Sequence, residues 1–433
     1  MNFHQSAYDK LRSYREETKV RIFEKLFSSV SLAKLDLDDT EQTRRELEEA
    51  ARKEIEAIHL TYYEKQRIVN EILEDIFGYG PLEPLLNNSS ISDILVNGVS
   101  NVFIDVGGRL ERTSVYFRSK EHLLHVIRKI VGSAGRRIDE STPIVDAYLP
   151  DGSRVNAVIP PIVAEPSLSV RKFVASYSSL DLLVKNGTMS VEMAGFLKLC
   201  SAGKLNVLVS GATGSGKTTL LNALAHYIPD AERIVTIEDS MELDIQKPNV
   251  VRMVTRQPNV EGRGQVTQRD LVVNALRMRP DRILVGEVRS SEVWDMLTAM
   301  NTGHSGSLTT VHANSAQDAL YRLETMAMLT GYEINERTLW TIISRSIDIV
   351  VHLNRFATGD RRMVSISEIS LGADGKYEVT DLFRFVPDGI YNGKMGGHFE
   401  QAASAVSDRL ANKAVMAGLE RAELETHFQK EKA

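Results

Sequence analysis

The sequence holds one cysteine, Cys200, so no disulfide can form within the chain and no thiolate cluster can hold a metal. It holds no apolar run near the roughly 20 residues that a membrane-spanning helix needs. Its opening stretch, MNFHQSAYDKLRSYREE, lacks the apolar centre of a signal peptide. An excess of positive charge is missing too. The formal net charge of −6 argues against a dedicated nucleic-acid binder and leaves room only for a local basic patch. These absences fit a protein of a reducing compartment, one that would work at a membrane only as a peripheral subunit.

What is present is ordinary for a globular protein: 42% hydrophobic and 25% charged residues, over a length that calls for two or three domains. No internal repeat is visible. Residues 1–77 are the most charged part, with 13 lysines and arginines against 17 acids. Leu47, Ala51, Ile55, Ile58 and Tyr62 fall at helical spacing, as do Ile68, Ile72 and Ile76. Residues 36–40 read as a break between helices, with Thr40 as an N-cap. This extension is either a packing bundle or a docking arm for a partner.

Residues 78–176 carry short strands and tight turns. Strands at 94–96 and 102–105, with Asn97-Gly98 and Gly107-Gly108, read as a β-meander with primed turns. A helix over 120–131 follows, then a hairpin of 144–149 and 154–159 around Asp151-Gly152, then a strand at 168–174. This is a smaller α+β domain of PAS-like kind, with a hinge expected at 177–180. Residues 177–387 alternate helix and strand, the mark of a mostly parallel sheet covered on both faces. Antiparallel strands are expected at 349–353, 363–371 and 376–384. Residues 388–433 read as a tail, Gly-rich at first and ending in a charged helix. The fold class expected is α/β: a RecA-like P-loop domain behind the α+β domain and the helical extension.

The alternating region is organised around NVLVSGATGSGKTTLL, residues 206–221. A buried strand at 207–209 breaks into a small-residue loop and continues from Lys217 with helix formers. This meets G-x-x-x-x-G-K-[ST] in its required strand–loop–helix setting. Gly211, Ala212, Thr213, Gly214, Ser215, Gly216, Lys217, Thr218 and Thr219 would surround a triphosphate, with backbone N–H groups and a helix N-terminus turned to the anion. Lys217 would reach the β- and γ-phosphates, and the Thr218 hydroxyl suits Mg²⁺.

Hydrolysis needs more than binding. Two strand ends carry acids: 234–237 leads into Glu238, Asp239 and Glu242, and 283–285 leads through Gly286 into Glu287. Glycine stands at 286, where many P-loop enzymes place a metal-linked aspartate. The Mg²⁺ shell expected is therefore Thr218, phosphates and waters, with the acids behind. A Gly/Ser/Thr-rich turn from Thr302 runs through His304 into a strand that ends at His312. His312 is either a phosphate or water sensor beside the P-loop strand or a buried structural histidine; His304 is poised evenly between such roles. Arg154 and Arg171, each inside an apolar strand, need an anion. That anion is either a carboxylate of their own domain or a triphosphate held between domains. Arg252, Arg256, Arg263 and Arg269 surround loop 257–264, facing phosphate, a pore or solvent.

Four segments together, GATGSGKTT, TIEDSMEL, RILVGEVR and TGHSGSLTTVHANSAQDAL, resemble the Walker A, Asp box, Walker B and His box of the type II/type IV secretion ATPase superfamily. GYGPLEPLL, ISDILVNG, YLPDGSRVNAVIPP and RQPNVEGRG resemble its CpaF-like branch, which serves Tad (Flp, type IVc) pili. The resemblance spans about residues 60–385. It implies a cytoplasmic homohexamer that hydrolyses ATP with Mg²⁺, docked at the inner face of the inner membrane on pilus platform proteins; the charge balance adds the expectation of no stable nucleic-acid partner. It further implies that Glu287 and Glu238 orient or activate water, that His312 links the γ-phosphate to a neighbouring subunit, and that Arg154 and Arg171 neutralise the transition state. The smaller domain would then swing about a hinge near residue 178. A type IV secretion traffic ATPase that moves protein or DNA, and a weakly hydrolysing nucleotide-dependent scaffold, are the other readings.

Overall fold

The computed structural model describes residues 17–19, 21–22, 25, 40–149, 151–172, 179–258 and 262–428. The chain divides into two compact units, Met1–Val174 and Ala175–Ala433. In the first, helices Thr40–Glu56 and Tyr62–Phe77 bury Leu47, Ala51, Ile55, Ile68, Val69 and Ile72 in a small core of their own. Two details differ from the sequence expectation. Thr40 is the first helical residue rather than the cap, and residues 36–39 of the expected break lie outside the described ones. Tyr62 is 80% exposed, because the first helix ends at Glu56 and a new one is started by the Thr61–Glu64 capping box. The spacing from Ile58 to Tyr62 therefore runs across the break between the two helices.

The same unit holds an antiparallel sheet of β1 (Ile91–Asn97), β2 (Val102–Val106), β3 (Arg109–Arg112), β4 (Ile144–Tyr148), β5 (Arg154–Val158) and β6 (Ser167–Arg171). Their order is β3-β2-β1-β6-β5-β4 among the described residues. The helix Lys120–Ser133 packs Leu123, Val126, Ile127, Ile130 and Val131 into the core with Ile94, Val96, Val155 and Val170. Gly107 and Gly108 both have positive φ between the paired Val106 and Arg109, as a two-residue primed turn requires. Asn97-Gly98 does not form such a turn. There the Asn97 N–H bonds the Asn101 carbonyl around a longer loop.

Near the start of the second unit Ser179 caps the short helix Leu180–Lys185; residues 177 and 178 of the expected hinge lie outside the described ones. Its sheet contains β7 (Val207–Gly211), β8 (Ile234–Glu238), β9 (Val250–Val254), β10 (Arg282–Val285), β11 (Leu308–Val311), β12 (Ile349–Arg355), β13 (Arg361–Leu371), β14 (Tyr377–Tyr391) and β15 (Lys394–Gln401). The order is β15-β14-β13-β12-β7-β11-β10-β8-β9. From β12 to β9 every neighbouring pair is parallel; from β12 to β15 every pair is antiparallel. β12 is thus a hybrid, parallel to β7 because a helix precedes it and antiparallel to β13 because a hairpin follows.

Alternate residues serve two cores. Val207, Val209 and Val351 face the helices Val191–Ala202 and Lys217–Ala225, while Leu208, Val285 and Val350 face those at 292–301, 316–328 and 336–346. Residues 388–397, expected as the start of a loose tail, instead form the tip of the β14–β15 hairpin. The alternation of Phe385, Phe399 and their neighbours outweighs the glycines there. The terminal helices also dock, with Leu410, Ala414, Leu424 and Phe428 in the first of these cores.

The entry ends of the central strands are tied by buried polar groups. Asn206, fully buried, donates from Nδ2 to the Ser346 carbonyl at 2.7 Å and accepts on Oδ1 from the N–H of Gly306 and Ser307. It thereby joins the starts of β7, β11 and β12. Arg282, also fully buried, meets Glu232 at 2.6 Å and donates to the Ser201 carbonyl. Truncating such a hub strands buried backbone groups, each worth roughly 1–3 kcal/mol. Asn206→Ala should therefore lower the stability of the second unit by about 3 kcal/mol in urea unfolding; a change under about 0.5 kcal/mol, the usual surface value, would show that the hub is dispensable.

Candidate functional site

The strand order brings four exit ends together: β7 into the P-loop, β11 into His312, β10 into Glu287 and β8 into Glu238. In an open parallel sheet the carboxyl ends of the strands are where ligands bind. The loop's shape depends on glycine. A Cβ at Gly211 would run into the Leu353 carbonyl oxygen of neighbouring β12, and Gly216 turns the chain into the helix Lys217–Ala225 at a φ of +100°.

Lys217 is 8% exposed. Its ammonium donates to the carbonyls of Gly211 at 3.0 Å and Ala212 at 3.1 Å, and to Nδ1 of His312 at 3.2 Å. An ammonium has no acceptor, so Nδ1 of His312 must accept and the ring proton sits on Nε2. Nε2 lies 3.2 Å from Oε1 of Glu287. Burial lowers the His312 pKa, and the Lys217 and Arg289 charges add to that against the opposing pull of Glu287. The ring is therefore neutral at neutral pH. Burial also lowers the Lys217 pKa, with Glu287 opposing. Arg289 completes the line: it pairs with Glu287 through Nε at 3.0 Å and Nη2 at 3.1 Å, and with Asp239 through Nη1 at 3.1 Å.

Glu238 has a different setting. It is 3% exposed, and its Oε1 accepts the N–H groups of Glu242 at 3.0 Å and Leu243 at 2.8 Å. Its Oε2 is buried with no hydrogen-bond partner. Desolvation raises its pKa to about 7, against the two backbone bonds. Gly286 lies opposite on β10's extension, and a Cβ there would come within 3.1 Å of the Glu238 Cγ. Glycine at 286 therefore makes room for this carboxyl. Thr218 Oγ1 donates to Glu242 Oε2 at 3.3 Å. A hydroxyl and a carboxylate side by side at the loop's exit are hard oxygen donors that suit Mg²⁺; among the described residues no group of three or more His, Cys, Asp or Glu is placed to hold a metal ion by itself.

Other sequence candidates lie elsewhere. Arg154 and Arg171 are direct register partners on β5 and β6; Arg154 pairs with Asp146 at 3.6 Å and Arg171 with Asp93 at 3.0 Å, all within the first unit. His304 binds the Ala299 carbonyl at a helix end. Arg252 meets Asp244, Arg256 donates to the Gly264 carbonyl and Arg269 meets Asp295, while residues 259–261 of that loop lie outside the described ones. Sequence reading missed Arg289, whose one signal is its place two residues past Glu287. It also missed His352, a buried imidazole on β12 that meets Ser210 Oγ at 2.9 Å beside the loop. A polar residue inside the apolar run IVVHL is that residue's signal.

The raised Glu238 pKa has a stability consequence. The folded carboxyl holds its proton up to about 7 against an ordinary 4.5, so the folded state binds more protons in that window. Stability from this group is present below pH 4.5 and is lost as pH rises through 7, by up to roughly 3 kcal/mol. Glu238→Gln should flatten that decline in melting temperature between pH 5 and 8. An unchanged slope would show that the group titrates normally.

Comparison with known proteins places the chain in a family. Residues 75–378 match the family model described as type II/IV secretion system protein. A putative conjugal transfer protein of Mycobacterium tuberculosis is 36% identical over 316 residues, 71% of this chain and 89% of that one. The type IV secretion system protein VirB11 of Bartonella quintana is 30% identical over 346 residues, 70% of this chain and 90% of that one. The crystal structure of the VirB11 ATPase of the Brucella suis type IV secretion system, in complex with sulphate, is 28% identical, covers 68% of this chain and 97% of that one, and superposes with a TM-score of 0.36. Among the described residues no helix is long and apolar enough to cross a membrane. The chain belongs to the type II/IV secretion system protein family.

Proposed function

We propose that this chain is an ATP-hydrolysing subunit of a homohexameric motor that powers assembly of a Tad/Flp pilus from the inner face of the inner membrane. The observation that supports it best is the contact line from Lys217 through His312 to Glu287. It joins the residue that would hold phosphate to the residue that would manage water, through a ring whose single proton faces the carboxylate.

In this reading ATP enters the loop 211–219 and Lys217 exchanges its carbonyl and imidazole contacts for phosphate oxygens. Mg²⁺ at Thr218 and Glu242 would neutralise charge on the β- and γ-phosphates. Glu287, oriented by Arg289, aligns a water and takes its proton as the oxygen attacks the γ-phosphorus and the bond to the bridging oxygen breaks. His312, no longer tied to Lys217, would turn its Nε2–H from Glu287 to a phosphate oxygen and donate as a neutral ring. Glu238, buried behind Gly286, shapes the acid pair rather than meeting water first. Arg154 and Arg171 would serve as anion-binding groups of the first unit, exchanging Asp146 and Asp93 for phosphate oxygens.

A second reading is a type IV secretion traffic ATPase that moves protein or DNA. The conjugal transfer and VirB11 relatives favour it. A strain lacking this chain separates the two: loss of surface pili with transfer and secretion intact supports the pilus, and the reverse supports traffic.

The enzymatic core is tested on the purified oligomer. Glu287→Gln should bind ATP within a few-fold of wild type and lose roughly 10²-fold or more of turnover. Lys217→Ala should lose binding itself. Wild-type turnover in Glu287→Gln, or none in the oligomeric wild type, would overturn the hydrolytic reading.

A further inference from the structure

We propose that Arg361 is a positioning residue that braces the phosphate-binding loop from outside and sets its affinity for nucleotide, an inference that rests on the nucleotide reading above. Arg355 ends β12 and Arg361 starts β13; they are register partners. Because Leu353 of β12 pairs with Gly211 of β7, the β12–β13 turn continues past the strand ends beside the loop. The turn is closed by the Phe356 N–H on the Asp360 carbonyl at 2.9 Å and by Thr358 Oγ1 on Asp360 Oδ2 at 2.8 Å. Asp360 Oδ2 also accepts the Met395 N–H at 2.8 Å, which anchors the turn to β15.

From this anchored turn Arg361 Nε donates to the Gly214 carbonyl at 2.9 Å. Arg355 comes from the same side, with Nη1 3.3 Å from where a Cβ on Gly214 would be. The peptide joining Gly214 to Ser215 is trans and planar, so its C=O and N–H point opposite ways. A guanidinium that holds the carbonyl outward fixes the Ser215 N–H toward the inside of the loop. Inward N–H groups are what a phosphate cradle consists of. The Ser215 N–H now reaches the Ala212 carbonyl at 3.3 Å, so the loop has its own acceptors to fold onto. With the Gly214 carbonyl held, this peptide keeps its N–H inside when Lys217 changes partners. The charge on Arg361 also polarises the same peptide and strengthens its N–H as a donor.

The test is ATP and ADP affinity of the full chain by calorimetry with Mg²⁺, together with steady-state hydrolysis. Arg361→Ala should raise Kd about tenfold, the size of one charge-assisted hydrogen bond. KM should rise with it, while kcat stays within about twofold. Arg361→Lys should recover part of the loss, since an ammonium supplies charge and a donor without the planar fork. Arg362→Ala is the control. Arg362, the next residue of β13, donates to the Met395 carbonyl of β15 and not to the loop, so its loss removes a neighbouring guanidinium and should leave Kd unchanged. Equal affinity in Arg361→Ala and wild type, or an equal loss in Arg362→Ala, would overturn the proposal. A wild type that binds no nucleotide would instead overturn the reading of the loop itself.

Discussion

An ammonium with only donors sits against an imidazole, and the imidazole sits against a carboxylate. That contact between Lys217, His312 and Glu287 is the constraint from which the rest of the site follows. It decides the tautomer of His312, whose pKa burial lowers, and leaves Lys217 satisfied by weak partners that phosphate oxygens can replace. It exists only because β11 lies between β7 and β10. A sheet with β10 beside β7 would bring Glu287 directly to Lys217 and leave no place for an imidazole between them.

The two ends of the sheet are built differently. At the entry ends Asn206, Arg282 and Asp348 are fully buried and fully engaged; Asp348 accepts the Asn206 N–H and pairs with Arg409 and Lys413 from the helix Asp408–Met416. Buried ionic groups of this kind add little net stability, but they specify which strands lie side by side. At the exit ends the polar groups are less complete: Glu238 has an orphan oxygen, and the Lys217 ammonium rests on carbonyls. Register is held at one end so that unsatisfied chemistry can be held at the other.

Much of this was legible in the sequence because it is local. The P-loop, the alternation of helix and strand, and the acids at 238 and 287 are each written within one strand–turn–helix stretch. So is the glycine at 286, although its reason, the Glu238 carboxyl opposite, appears only when β8 and β10 are paired. What was not legible is non-local. Arg361 meets a loop 147 residues away, and nothing near it in the chain shows this. The β14–β15 hairpin hid behind its glycines, and the helical spacing that takes in Tyr62 crosses a helix break. Arg154 and Arg171 were correctly read as arginines in need of an anion. In the structure that anion is the carboxylate of Asp146 and of Asp93.

The most direct measurement is an experimental structure of the oligomer with a non-hydrolysable ATP analogue and Mg²⁺. The account predicts Lys217 Nζ on phosphate oxygens, its contacts to the Gly211 and Ala212 carbonyls and to His312 released, and Glu287 facing the γ-phosphate. A triphosphate bound with the contact of Lys217, His312 and Glu287 still intact, or bound away from the loop, would contradict it.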